Sequence, residues 1–201
     1  MKTTTIFMDL ETGGVEDHHP DIQLAAVAVR EWEILDTFER KIAFDERAAD
    51  PEALRINSYD RDVWYDKALP EEQVVLEFAG FLEQYRVLRK VSRRGNVFHV
   101  ARLAGHNVAR FDAPRLLRMF KRNPGTFLPG DAFMPLDTMQ LALWYFADTD
   151  EKPENFKLGT LCDFFAIDTE GAHDALADVL NTVELAQHLA DGFLPDLKTA
   201  A

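Results

Sequence analysis

The period of apolar positions changes along the chain. Residues 3–44 read as three strands: Thr3–Asp9 is β-branched and apolar, Ile22–Val29 is a mostly apolar run, and Trp32–Phe44 alternates enough for a third. From residue 50 onward, helical spacings take over. Asp50 followed by Pro51 pairs an N-cap residue with a proline suited to a first turn, predicting a short helix. Val74, Phe78, Phe81, Tyr85 and Leu88 recur at three- and four-residue spacing and predict an amphipathic helix over Pro70–Leu88. A short strand around Val100–Ala104 then leads to a helix ending near Arg122, which begins at Ala113 or is distorted by Pro114. After turns at Asn123-Pro124-Gly125 and Pro129-Gly130-Asp131, the pattern predicts a strand at Phe133–Leu136 and a helix at Asp137–Phe146 with Asp137 as its cap. Glu151–Asn155 reads as a surface loop, and Leu158–Phe165 and Asp174–Leu189 as closing helices.

Early strands followed by helices alternating with short strands indicate an α/β domain built on a mixed sheet. Its 201 residues suit one domain of ordinary size. No repeat or linker divides it, so residues 1–195 are expected to form the domain and 196–201 a short C-terminal tail. The single Cys162 cannot form an internal disulfide, and its apolar neighbours predict a buried thiol. No stretch approaches the ~20 apolar residues of a membrane span, and the N-terminus lacks a signal-peptide pattern. The expectation is a soluble, cytoplasmic protein with no membrane partner.

A net charge of −13 argues against a polyanionic partner, but its distribution changes that picture. Residues 86–122 hold eleven basic residues (Arg86, Arg89, Lys90, Arg93, Arg94, Arg102, Arg110, Arg115, Arg118, Lys121 and Arg122) against the single acid Asp112. This local charge of +10 surrounds one of the candidate functional acids and favours a phosphate track.

The candidate chemistry lies in three separated segments. In Ile6-Phe7-Met8-Asp9-Leu10-Glu11-Thr12-Gly13-Gly14, two acids one residue apart point to the same side of a strand, at the end of an apolar run. Carboxylates there need a reason to be present, and hard divalent cations supply one. The second segment is Gly105-His106-Asn107-Val108-Ala109-Arg110-Phe111-Asp112, in which Asp112 alone could be an ordinary helix cap. In the third, Ala172-His173-Asp174-Ala175-Leu176-Ala177-Asp178, Asp174 and Asp178 share a helix face, so geometry does not choose between them.

In this order the three segments resemble the DEDDh family of 3′→5′ exonucleases, and the resemblance spans residues 9–178. It implies a ribonuclease H-like fold, with a mixed central sheet flanked by helices. It also selects Asp178, five residues after His173, over Asp174. By the same resemblance Asp9, Glu11 and Asp178 bind Mg²⁺ or Mn²⁺, Asp9 bridges to a second ion, and Asp112 supports that ion directly or through water. His173 is then the general base on the attacking water, while Leu10, Thr12, His106 and Asn107 line the pocket for the terminal nucleotide. The implied activity is release of nucleoside 5′-monophosphates from single-stranded 3′ ends, with DNA placed ahead of RNA, alone or alongside a polymerase or repair partner. An RNA-trimming exoribonuclease or oligoribonuclease shares every motif, and a non-catalytic nucleic-acid-binding module would explain the basic segment alone. Two positions depart from the family pattern: Gly13 stands where many members carry a second threonine, and Gln23 where glutamate is common.

Overall fold

The computed structural model describes residues 1–169 and 174–193. A five-stranded mixed sheet is its frame: β1 (Thr5–Thr12), β2 (Asp21–Arg30), β3 (Glu33–Lys41), β6 (Arg102–Gly105) and β7 (Leu136–Asp137), in the order β3-β2-β1-β6-β7. β1 to β3 are antiparallel, whereas β6 and β7 run parallel to β1. β2 is buried along nearly its whole length because helices cover both faces, which explains its unbroken apolar sequence.

Alternation along β1 divides the core. Ile6, Met8 and Leu10 face one layer, formed by α3 (Glu71–Glu83) and α4 (Asp112–Arg122). Phe7 faces the other, where Ala175, Val179, Val183 and Ala186 of α7 (Ala175–Phe193) pack on the sheet. Behind α7, α5 (Thr138–Tyr145) and α6 (Leu158–Phe165) build a third cluster around Phe146 and the buried Cys162. Asp9 and Glu11 continue the Phe7 side of β1, so the acids emerge beside α7. No described helix is long and apolar enough to cross a membrane.

Several boundaries differ from the sequence expectation. β1 runs on to Thr12, because Asp9 and Glu11 keep the strand's alternation and pair in register with Ala25 and Gln23. β3 starts at Glu33 rather than Trp32, since Glu31 and Trp32 occupy the left-handed region (φ 54° and 68°) as a tight turn. The expected helix over 70–88 stops at Glu83. Instead of continuing it, Leu88–Val91 (β4) pairs with Val97–Val100 (β5) as a separate two-stranded ribbon. The strand expected at Phe133–Leu136 shrinks to β7, leaving Phe133 and Met134 exposed. Two short helices, α1 (Pro51–Ile56) and α2 (Arg61–Lys67), fill the crossover after β3; α1 carries the expected Asp50 cap, its carboxylate accepting from the Glu52 N–H.

Candidate active site

Three carboxylates converge where β1 meets α7. Asp9, Glu11 and Asp178 each bring one oxygen into a group whose members lie within 4.8 Å of one another. Glu11 is buried, while Asp9 and Asp178 are half-buried. Asp174, by contrast, is occupied at the start of α7: its Oδ1 accepts from the Leu176 N–H (3.1 Å), and its carbonyl accepts from the Asp178 N–H (3.0 Å). Asp178, not Asp174, therefore completes the three-oxygen group. His173 lies outside the described residues.

Asp112 reaches the site differently from an ordinary cap. It is the first residue of α4, its backbone held there by the Ala113 N–H donating to the Val108 carbonyl. Pro114 falls in the first turn, where its missing N–H costs nothing. The buried carboxylate crosses to β1 and accepts the Leu10 N–H at 3.0 Å. This one contact ties the helix to the strand between Asp9 and Glu11.

Among the described residues, no uncommitted cation balances the clustered acids. Burial, followed by repulsion from Asp112, Glu11, Asp178 and Asp174, raises the Asp9 pKa well above the ordinary carboxylate value. Burial and the charges of Asp178 and Asp174 push Glu11 up to about 7. Asp112 is also raised to about 7, mainly by burial, although the Leu10 N–H and Arg115 oppose the shift. Arg115 contributes little more, because it is committed to Asp21 (3.1 Å) and to the carbonyls of Gly14, Glu16 and His19. Largely desolvated carboxylates that repel one another, with no uncommitted cation beside them among the described residues, form a donor set for a hard divalent ion. The donors fit such an ion: three converge, with a fourth acid hydrogen-bonded alongside.

The loop between β6 and α4 is shaped by a residue outside the three motifs. Asp137 caps α5, its Oδ1 accepting from the Met139 and Gln140 N–H groups. The same carboxylate accepts from the N–H groups of Asn107 (3.1 Å) and Ala109 (3.0 Å), so it also pins the approach to Asp112. The cap was legible in sequence, but this second task was not, since no local spacing links residues 107 and 137. Gly105 meets a stricter demand: a Cβ there would lie 2.7 Å from the Met8 carbonyl oxygen.

The four expected nucleotide-contact positions are not equivalent. Leu10 has its side chain in the core and presents its N–H to Asp112. Thr12 is buried and donates its hydroxyl to the Gly14 carbonyl. His106 has both ring nitrogens engaged, Nδ1 with the Thr138 hydroxyl (2.8 Å) and Nε2 with the Phe156 carbonyl (2.9 Å), and burial lowers its pKa. Asn107 sits in the left-handed region (φ 55°), and its side-chain amide makes no hydrogen bond among the described residues. Of the four, Asn107 alone combines partial exposure with an uncommitted polar side chain.

Both departures from the family pattern have local reasons. A Cβ on Gly13 would meet the Ala49 Cβ at 2.7 Å, so this chain's packing leaves no room for threonine. The Gln23 amide, directly across from Glu11, donates to Glu39 (3.0 Å) and Asp174 (3.2 Å). A carboxylate in its place would replace two donations with repulsion. Gln23→Glu is therefore expected to destabilise the cation-free protein by about 1–3 kcal/mol at pH 8, read by denaturant unfolding; unchanged stability would show that the amide does not hold Asp174.

A groove of about 610 Å³ on the Phe7 side of the sheet is lined by Phe7, Trp32, Leu136, Leu141 and Trp144 among others. It contains none of the clustered acids, so the chemistry identifies the site better than cavity size does.

A mixed sheet with paired acids on a central strand and a third on the covering helix defines an α/β domain with a carboxylate site suited to a divalent cation. No protein-family model matches the chain, and no curated protein matches it in sequence. Solved structures do match its fold. Zinc-bound E. coli exonuclease I with single-stranded DNA is 21% identical with a TM-score of 0.74, covering 99% of this chain and 42% of that one. E. coli exonuclease I with a dA16 oligonucleotide gives 20% and 0.74, over 98% and 42%. A moderately thermophilic exonuclease I from Methylocaldum szegediense gives 20% and 0.72, over 97% and 42%. The chain thus has the ribonuclease H-like fold of these exonucleases and spans 42% of their length.

Proposed function

We propose that this chain is an intracellular, metal-dependent 3′→5′ exonuclease domain of the DEDDh type, acting on single-stranded DNA. The observation that carries this reading is the meeting of Asp9, Glu11 and Asp178 with Asp112 locked beside them. Exonuclease I, whose fold the chain shares, has been solved with single-stranded DNA, which favours DNA over RNA.

Asp9, Glu11 and Asp178 would hold the cation, and Asp112 would support a second. A Mg²⁺ or Mn²⁺ ion held by these residues would supply Lewis acidity for phosphodiester hydrolysis. The chain's own residues do the rest. His173, next in sequence to Asp174, accepts the proton from the attacking water on its imidazole. Gln23 and the α7 N–H groups hold Asp174 away from the three-oxygen group. The free amide of Asn107 is placed to bind the terminal nucleotide.

Oligonucleotides labelled at either end test the proposal. With Mg²⁺, a 5′-labelled strand should shorten stepwise, while a 3′-labelled strand releases its label as mononucleotide 5′-monophosphate at once. Release of the 5′ label first would overturn the polarity. Tight binding without cleavage in Mg²⁺ or Mn²⁺ would favour a non-catalytic module.

A further inference from the structure

The basic segment does not form one surface around Asp112. Five of its eleven cations are tied to acids: Arg86 to Glu83, Lys90 to Asp131, Arg115 to Asp21, Arg118 to Asp17, and Arg122 to Asp21 and Glu71. Three of the others, Arg89, Arg93 and Arg94, lie together on the β4–β5 ribbon and form no ion pair among the described residues.

Strand pairing sorts the ribbon's two faces. Leu88 and Lys90, opposite Val100 and Phe98, lie on the side where Lys90 reaches Asp131 and Val100 is buried. Arg89 and Val91, opposite His99 and Val97, lie on the other side, and all four are exposed. Arg93 and Arg94 crown the turn, which Gly95 closes at φ 83°. No acid occurs anywhere from residue 84 to 111. The ribbon continues through Ala101 into the start of β6, whereas the candidate site lies beyond that strand's other end. Arg94 and Gly105 are eleven positions apart; at ~3.3 Å per extended residue, the tip stands up to roughly 36 Å from Gly105, where the Asn107 loop begins.

We propose that the β4–β5 ribbon is a second nucleic-acid contact, in which Arg89, Arg93 and Arg94 grip phosphates of the strand several nucleotides from the end being processed. The proposal rests on the exonuclease reading and adds an anchor remote from the acids. Charge complementarity supports it. The molecule outside residues 86–122 is strongly acidic and repels a polyanion, so attraction must come from cations not already neutralised. Guanidinium groups match phosphate oxygens with paired N–H donors, and an exposed ribbon can present them along a flexible strand.

The test compares the parent with Arg89→Gln/Arg93→Gln/Arg94→Gln, using a single-stranded DNA 20-mer and a trinucleotide. Binding is read by anisotropy in chelator, and hydrolysis with Mg²⁺. The variant should bind the 20-mer about tenfold or more weakly, and the slope of log K against log salt should fall in magnitude by about 2. Trinucleotide hydrolysis should stay within twofold of the parent. Unchanged 20-mer affinity and salt slope, or equal losses on both lengths, would overturn the anchor while leaving the nuclease intact. A parent that cleaves neither substrate yet binds the 20-mer through these arginines would instead sink the nuclease reading and keep the anchor. Displacement of the 20-mer by a glutamate-rich peptide at lower concentration than by unlabelled DNA would reassign the ribbon to an acidic protein partner.

Discussion

Asp9→Asn is expected to reduce turnover by at least about 10²-fold while making the cation-free protein more stable. The two effects have one cause. Asp9 lies among Glu11, Asp112, Asp178 and Asp174, and burial adds to their repulsion in opposing its charge. Asparagine keeps the shape and one oxygen but removes that charge. Without a divalent ion, the neighbours then repel less and the fold gains. With an ion present, the site loses an anionic ligand, and hydrolysis loses the charge balance it depends on. Turnover at saturating Mg²⁺ and thermal unfolding in chelator at pH 8 measure the two halves. A variant as active as the parent would remove Asp9 from the mechanism. A variant that is inactive and also less stable in chelator would point to a packing role. Loss of activity through misfolding cannot imitate the expected pair.

How much of this could be read in the sequence depended on whether the controlling contacts were local. β2 was legible because a strand covered on both faces must be apolar throughout. The α5 cap was legible because Asp137 and the N–H groups it accepts are two and three residues apart. The acids were legible as a set through their resemblance to a family, while their convergence depends on β1 and α7 meeting across more than 160 residues of chain. The contacts that shape the site are equally non-local: Leu10 with Asp112, Gln23 with Asp174, and Asp137 with Asn107. No periodicity announces them.

The ribbon was hidden for a different reason. Each of its strands has four residues, and one carries Arg89 and Lys90 amid aliphatics, so Leu88 reads as the last apolar position of the preceding helix. The same error made the basic segment look like a single field around Asp112. In the fold, β6 carries the chain from the ribbon to the loop before Asp112, and ion pairs neutralise much of α4. Counting charge along a sequence overstates a surface when buried and paired arginines such as Arg115 are included.

The stabilisation conferred by Mg²⁺ or Mn²⁺ should grow as pH rises from 6 to 8, and the sign follows from the direction of the carboxylate shifts. Glu11 and Asp112 titrate near 7 in the folded chain, against ~4.3 and ~3.9 when unfolded. Between those values the folded state holds more protons than the unfolded state, so cation-free stability falls as pH rises up to and through about 7. Its size is on the order of a few kcal/mol, shared among interacting groups rather than summed over them. A divalent ion binds the ionised oxygens, so it competes with protons at pH 6 and meets a prepared, repelling site at pH 8. Binding at a hundredfold excess over Kd adds about 2.7 kcal/mol, which for a domain of this length corresponds to roughly 5–10 °C in melting temperature. Melting curves with chelator or metal at pH 6 and 8 should therefore converge at the lower pH and separate at the higher. Glu11→Gln should flatten the pH dependence of the chelated protein and shrink the metal effect together. An equal metal shift at both pH values would mean that the ion binds somewhere other than these acids.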